Sequence, residues 1–282
     1  MNYKPIDLEL YNKNIRVYQI YYDEDSKKQL DSGFIPLDNS LNERPDWYEF
    51  WVIRKFLKEH QLQNDVWYGF LSPKFLRKTH ISSNAIFSML EDYGNNADVA
   101  LFTNGWDQLA YFLNPFEQGE IWHPGLSRLS QLFFNKIGIN IDISKLVTHS
   151  SSSVFSNYII AKSEFWNEWL VIADQFFDFV ESNQYPDFNQ TTSYVLQSNQ
   201  LPIKTFIQER FASVILALGD FKVIAVDQSQ LAPIFTLFFN DNFDTRRLLQ
   251  TCDVLKEKYC DTKDEEFLNM YYKIRQHIEL RI

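Results

Sequence analysis

Several groups of residues in this chain have types and spacings that could do chemistry. Asp23-Glu24-Asp25 is a D-x-D triplet directly after an apolar run. Paired carboxylates after a strand can hold a divalent cation that neutralises a diphosphate. The triplet follows the first strand rather than a central one, which favours a solvated acidic turn instead. Glu117, Glu120 and His123 recur at three-residue spacing. On a helix they would share a face and could ligate a metal. Gly119 and Pro124-Gly125 argue against a long helix, so a polar loop lining a cleft is the better reading. Lys74, Arg77 and Lys78 form a local basic cluster in an acidic protein, suited to a diphosphate leaving group or simply to solvated charge. His149 precedes four serines, Ser150 to Ser153. It could contact a phosphate or carry a proton near neutral pH, and it equally fits a hydrogen-bonded loop histidine. Glu209-Arg210 sits early in an apolar-striped helix. Its carboxylate could deprotonate an acceptor hydroxyl, or it could form a structural ion pair favoured by the helix dipole. Phosphate-loop, dinucleotide, H-E-x-x-H, C-x-x-C and G-x-S-x-G signatures are all absent.

These groups must be positioned by the elements around them. The β-branched and aromatic run 15–22 reads as a first strand, 34–39 as a short strand or extended turn, and 65–71 as a second buried strand ended by Pro73. Between them Trp47, Phe50, Trp51, Arg54 and Leu57 recur at helical spacing. A helix over 83–93, capped by Ser82 or Ser83, leads to a third strand at 97–102. Residues 125–136 read as helix, 139–147 as holding a short strand, and 154–161 as a strand running into a long helix striped by Phe165, Trp169, Ile172, Phe176 and Val180. The polar stretch 185–200 is the expected mobile loop. A helix over 207–218 stops at Gly219, a final strand covers 221–226, and 243–282 is charged and helical. Alternating strands and helices predict an α/β fold with a mostly parallel sheet and a ligand crevice at the carboxyl ends of its strands. The expected organisation is one domain over 1–240 with a helical C-terminal extension over 241–282.

Composition narrows the function classes. Of the 282 residues 45% are hydrophobic and 17% aromatic, ample for a large core. Some of the 25 Phe, 15 Tyr and 7 Trp are expected to line a cleft, since aromatic faces stack on sugars and bases. A net charge of −10 without a basic stripe argues against nucleic acid and against anionic lipid. No apolar stretch approaches the ~18–20 residues that span a bilayer, and the first residues, Met1 to Asp7, lack a signal-like apolar region. Only Cys252 and Cys260 occur, so no disulfide framework is expected and a reducing cytoplasm fits.

The order of these segments resembles a bacterial family of GT-A-type glycosyltransferase-like proteins of capsule and exopolysaccharide biosynthesis. The likeness runs through the strand 15–22 and Phe34-Ile35-Pro36-Leu37-Asp38-Asn39, then the aromatic helix from Asp46 to Leu57 leading into Val66-Trp67-Tyr68-Gly69-Phe70. It continues with Phe155 to Lys162, similar to the family's N-M-F-I-M-K segment, and Thr205 to Phe211, similar to its F-I-S-E-R-L helix. The resemblance implies a GT-A-like sheet, a nucleotide-sugar donor, and a glycan or lipid-linked glycan acceptor in capsule, O-antigen or exopolysaccharide assembly. It implies Glu209 as catalytic base and Asp38, Asn39, Tyr48, Glu49, Asn157 and Arg210 as substrate-binding residues beside Lys74, Arg77, Lys78 and His149. The family's basic H-Y-R-R-Y-F stretch is replaced here by Leu71-Ser72-Pro73-Lys74-Phe75, and no D-x-D stands at the usual strand end. A divalent cation, Mg or Mn, therefore has no assigned ligands. The alternative is a non-catalytic carbohydrate- or partner-binding protein of a polysaccharide assembly system.

Overall fold

The computed structural model describes residues 13–102, 105–193, 200–229 and 232–281. The leading segment 1–12, and 194–199 of the expected loop, lie outside the described residues. The chain begins with β1 (Ile15–Tyr21), the single turn α1 (Glu24–Lys27), β2 (Ile35–Asp38), α2 (Tyr48–Glu59), β3 (Trp67–Leu71), α3 (Phe75–Thr79), α4 (Ser83–Tyr93) and β4 (Val99–Leu101). Next come α5 (Trp106–Tyr111), α6 (Pro115–Trp122), α7 (Leu126–Lys136), β5 (Ile159–Ala161) and α8 (Ser163–Glu181). The rest comprises β6 (Thr191–Ser193), β7 (Gln200–Pro202), α9 (Ile203–Gln208), α10 (Phe211–Leu218), β8 (Val223–Ala225), α11 (Phe243–Thr262) and α12 (Glu265–Arg275).

Two compact units share this chain. The first contains the residues up to Phe102, Asn157–Val171 and Phe221–Ile224. Its six-stranded sheet has the order β2-β1-β3-β5-β4-β8. β1 is parallel to both β2 and β3, whereas β5 runs antiparallel to β3 and β4. The sheet is thus mixed rather than mostly parallel. Side-chain periodicity reports which face of a strand is buried but not which way the strand runs, so β5 carried no sign of its direction. Gly69 of β3 stands opposite Ile160 of β5, and a Cβ there would come within 2.8 Å of the Ile160 Cγ1. Aromatic rings from α2 and α8 cover one face: Phe56 meets Tyr18 at 4.6 Å and Phe70 at 5.0 Å, and Trp166 meets Phe70 at 5.0 Å. The Trp166 indole donates to the Tyr68 carbonyl at 2.9 Å, so this buried ring has its polar atom satisfied. Burying each such ring contributes about 2–3 kcal/mol.

The second unit contains the chain after Phe102 up to Ser156, Ile172–Asp220 and the residues from Ala225 onward. One of its aromatic groups joins Phe133, Phe176 and Phe211, with Phe176 4.8 Å from Phe133 and 5.0 Å from Phe211. Another gathers Trp106, Tyr111, Phe112, Phe238, Phe239, Leu249, Leu255 and Tyr271. Much of the aromatic content therefore fills cores.

Several local expectations are corrected, each by a side chain that captures the backbone. No strand forms over 139–147, because the Gln131 amide bonds the Ile141 carbonyl and the Ile143 N–H, and Asn114 bonds the Ile143 and Leu146 carbonyls. The strand read over 154–161 shrinks to β5, since the Ser213 hydroxyl takes both backbone groups of Val154 at 2.9 and 2.7 Å. The helix read over 207–218 is broken into α9 and α10 at Glu209-Arg210. There Arg210 Nη1 occupies the Phe206 carbonyl at 2.6 Å and the Arg210 N–H falls back on Ile207 at 3.1 Å, a tighter i→i−3 bond. Residues 115–122, read as a loop, form α6 because Asn114 caps the Phe116 and Glu117 N–H groups and Pro115 is preset for the first turn. Within 185–200 the chain makes a 3-10 turn at Pro186–Asn189, and β6 pairs with β7.

Candidate functional site

β1 is a switch point of the sheet. Its parallel neighbours β2 and β3 lie on opposite sides, so the connections leaving the carboxyl ends of β1 and β3 part and leave a crevice between them. A cleft of about 350 Å³ occupies this place in the first unit. Tyr22 and the α1 turn (Asp23, Asp25, Ser26, Gln29) form one wall, Tyr48 and Glu49 from the start of α2 another, and Pro73 and Lys74 after β3 a third.

Local chemistry fixes each wall. Asp23 closes a capping box with Ser26, accepting from its N–H at 2.7 Å and its hydroxyl at 2.7 Å. Those hydrogen bonds hold the exposed Asp23 carboxyl below the usual carboxylate range. Burial, then the charge and hydrogen bond of Glu49, push the Tyr22 phenol well above its ordinary value, so Tyr22 keeps its proton and donates a hydrogen bond to the Glu49 carboxylate. Glu49 lies in the first turn of α2, where the helix dipole favours an anion. Tyr48 adopts φ +50°, a left-handed conformation costing a bulky residue about 1–3 kcal/mol. Burial, followed by Glu49 and Asp46, raises its phenol as well.

Of the residues singled out from sequence, Tyr48, Glu49 and Lys74 are brought together in this cleft with Asp23 and Asp25 of the D-x-D triplet. Asp38 and Asn39 end β2 beside β1, where the Asn39 N–H donates to the Tyr21 carbonyl at 2.9 Å. Burial would raise the Asp38 carboxyl, but the Ser40 and Tyr21 hydrogen bonds and Lys27 lower it overall. Both residues finish a strand rather than line the cleft. Arg77 and Lys78 are exposed in the last turn of α3. Lys78 hydrogen-bonds the phenol of buried Tyr158, which also lies 3.3 Å from the Ser72 hydroxyl. Burial raises that phenol, with Lys78 and Ser72 opposing. Asn157 is half-buried just ahead of β5.

His149, Glu209 and Arg210 belong to the second unit. Arg210 is 3% exposed, and its guanidinium donates to the Pro115 and Phe206 carbonyls and to Gln118 at 2.7, 2.6 and 2.8 Å. It ties α6 to α9 instead of facing a cleft. Glu209 is half-buried at the end of α9, directly before Arg210, which stands at the N-cap of α10. His149 is held by its own backbone, its N–H donating to the Ser152 hydroxyl at 3.1 Å. Burial lowers its imidazole although Asp253 and Glu257 pull the other way. The trio in α6 is likewise structural. Glu117 pairs with Arg275 at 2.8 Å, Glu120 accepts from Gly125 and Ser127, and buried His123 stacks on Phe206 at 3.5 Å. Burial, aided by Arg210, pushes His123 down to about 3. Among the described residues no three His, Cys, Asp or Glu side chains could hold a metal ion.

Sequence reasoning overlooked Tyr22 as a cleft residue, and it overlooked Gln19 and Asp31 behind the cleft. Gln19 is fully buried in β1, accepts from the Asp31 N–H at 2.8 Å and donates to the Ser72 carbonyl at 3.2 Å. The one available signal was a polar residue inside the apolar run Val17 to Tyr21. Asp31 in turn accepts from Gly33 and from both the N–H and the hydroxyl of Ser83. Burial opposes ionisation of Asp31, but these Ser83 and Gly33 bonds lower its carboxyl overall. A Cβ on Gly33 would lie 2.3 Å from the Ser83 hydroxyl oxygen, so this turn requires glycine.

No protein-family model matches the chain, and no curated protein or solved structure matches it. The site must therefore speak through its chemistry: two phenols, carboxylates on two walls and one ammonium around a cleft of small-molecule size. Among the described residues no helix is long and apolar enough to cross a membrane.

Proposed function

We propose that the chain is a glycosyltransferase of GT-A-like fold that moves a sugar from a nucleotide donor to a glycan or lipid-linked glycan acceptor in bacterial surface-polysaccharide assembly. The observation that carries this reading is the cleft at the carboxyl ends of β1 and β3, the switch-point position where open α/β sheets bind their ligands. Its furnishings suit the chemistry. Tyr22 and Tyr48 offer aromatic surface to a base or sugar ring. Lys74 can pair with phosphate. Glu49, oriented by the Tyr22 hydroxyl, is the carboxylate in reach of an acceptor hydroxyl, and we assign it the role of base in preference to Glu209. The residues present do not fit a dedicated metal cage. Asp23 is engaged by Ser26, and Asp25 pairs with Lys28 at 3.0 Å, so no step is routed through a cation.

Thermal unfolding with a panel of nucleoside diphosphates and nucleotide-sugars tests the proposal. A ligand at 100 times its Kd stabilises by about 2.7 kcal/mol, which raises Tm by several degrees. Absence of a shift with every member of the panel overturns it.

A further inference from the structure

Gln19 is the fully buried polar side chain of a strand whose flanking residues Tyr18 and Ile20 are buried, and it has no exposed surface. An amide is stable in such a place only when its groups are bonded. Both bonds go to backbone that leaves the sheet at the cleft. The orientation of the amide is forced, because the Ser72 carbonyl can only accept and the Asp31 N–H can only donate. Ser72 directly precedes Pro73 and Lys74, and its carbonyl also accepts from the Phe75 N–H at 3.1 Å, which starts α3. Asp31 follows the α1 turn, and its carboxylate fastens that segment to Ser83 at 2.9 and 2.6 Å. One side chain therefore holds the two walls that rise from β1 and β3.

We infer that Gln19 is the positioning residue of the cleft, setting the separation between the α1 wall and the Pro73-Lys74 wall and so the fit of the ligand. The role rests on the cleft being the ligand site. It does not make Gln19 catalytic, since the side chain lies beneath the walls and not among the lining residues.

Gln19→Met preserves bulk and removes both bonds. In hydrogen exchange followed residue by residue, the Asp31 and Phe75 amides are expected to exchange about tenfold faster, with the β1–β3 ladder unchanged. Gln19→Glu keeps the acceptor for Asp31 and sets an oxygen against the Ser72 carbonyl. It is expected to expose the Phe75 amide while the Asp31 amide stays protected, and it serves should the Met variant not fold. The affinity of whichever nucleoside diphosphate stabilises the unaltered chain is expected to fall about tenfold in Gln19→Met. Trp166→Phe, which loses a buried hydrogen bond in the same unit away from the cleft, should lower Tm yet hold that affinity. Unchanged exchange at both amides, or an affinity loss no larger than that of Trp166→Phe, overturns the inference. If no diphosphate binds the unaltered chain, the functional reading fails, and the exchange pattern still decides whether Gln19 positions the walls.

Discussion

Lys256 offers a perturbation whose sign and size follow from its surroundings. It lies on α11 with no exposed surface, and its ammonium donates to the carbonyls of Leu109 and Phe112 at the end of α5. A cation there satisfies the last carbonyls of a helix. Burial nevertheless pushes the amine down from 10.5 to about 8, although Asp253, the two cysteines and Glu117 favour the charged form. Between pH 8 and 10.5 the unfolded chain keeps the proton and the folded chain has released it. The unfolded state then binds more protons, so stability rises with pH across that window. The slope is at most about 1.4 kcal/mol per pH unit, or about 3 kcal/mol in all. Lys256→Met removes the titration and roughly preserves bulk. Its offset at pH 7 mixes two unsatisfied carbonyls, about 1–3 kcal/mol each, with relief from burying a charge, so the slope is the informative quantity. Urea unfolding of both proteins from pH 7 to 10.5 should show the free-energy advantage of the unaltered chain over Lys256→Met growing above pH 8. A difference that stays constant, or one that shrinks as pH rises, refutes the reasoning.

Two further outcomes are expected. Glu49→Gln should slow release of nucleoside diphosphate from a productive nucleotide-sugar donor by about 10²–10⁴-fold while the nucleotide-induced Tm shift persists, and unchanged turnover would remove Glu49 from the base role. Gly119→Ala should lower Tm, although alanine is the better helix former by about 1 kcal/mol. Its Cβ would meet Arg210 Nη2 at 2.5 Å and Cζ at 2.8 Å, and that guanidinium is fixed by hydrogen bonds to Pro115, Phe206 and Gln118. Overpacking of this kind costs about 1–3 kcal/mol, and a rise in Tm would show that the guanidinium can move aside.

What the sequence determined by itself were the features encoded locally. The runs behind β1, β2 and β3, the capped start of α4, the stripe of α8, the stop at Gly219 and the helical tail are all written in neighbouring residues. So was the presence of a crevice at strand ends, which alternation of strands and helices already implied. Tertiary structure decided everything that depends on distant partners. The direction of β5 is set by neighbours in the sheet that periodicity does not encode. Ser213, Gln131, Asn114 and Arg210 redirected backbone bonds that local propensity had assigned to strands or to one long helix. The same division separates the site residues. Lys74 was singled out by its place after a strand and Tyr48 and Glu49 by the family resemblance, whereas Arg210 and His123 had suggestive side chains that packing then buried. Gln19 shows the converse case, since a lone amide in an apolar strand acquires meaning only when folding brings Asp31 and Ser72 to its two ends.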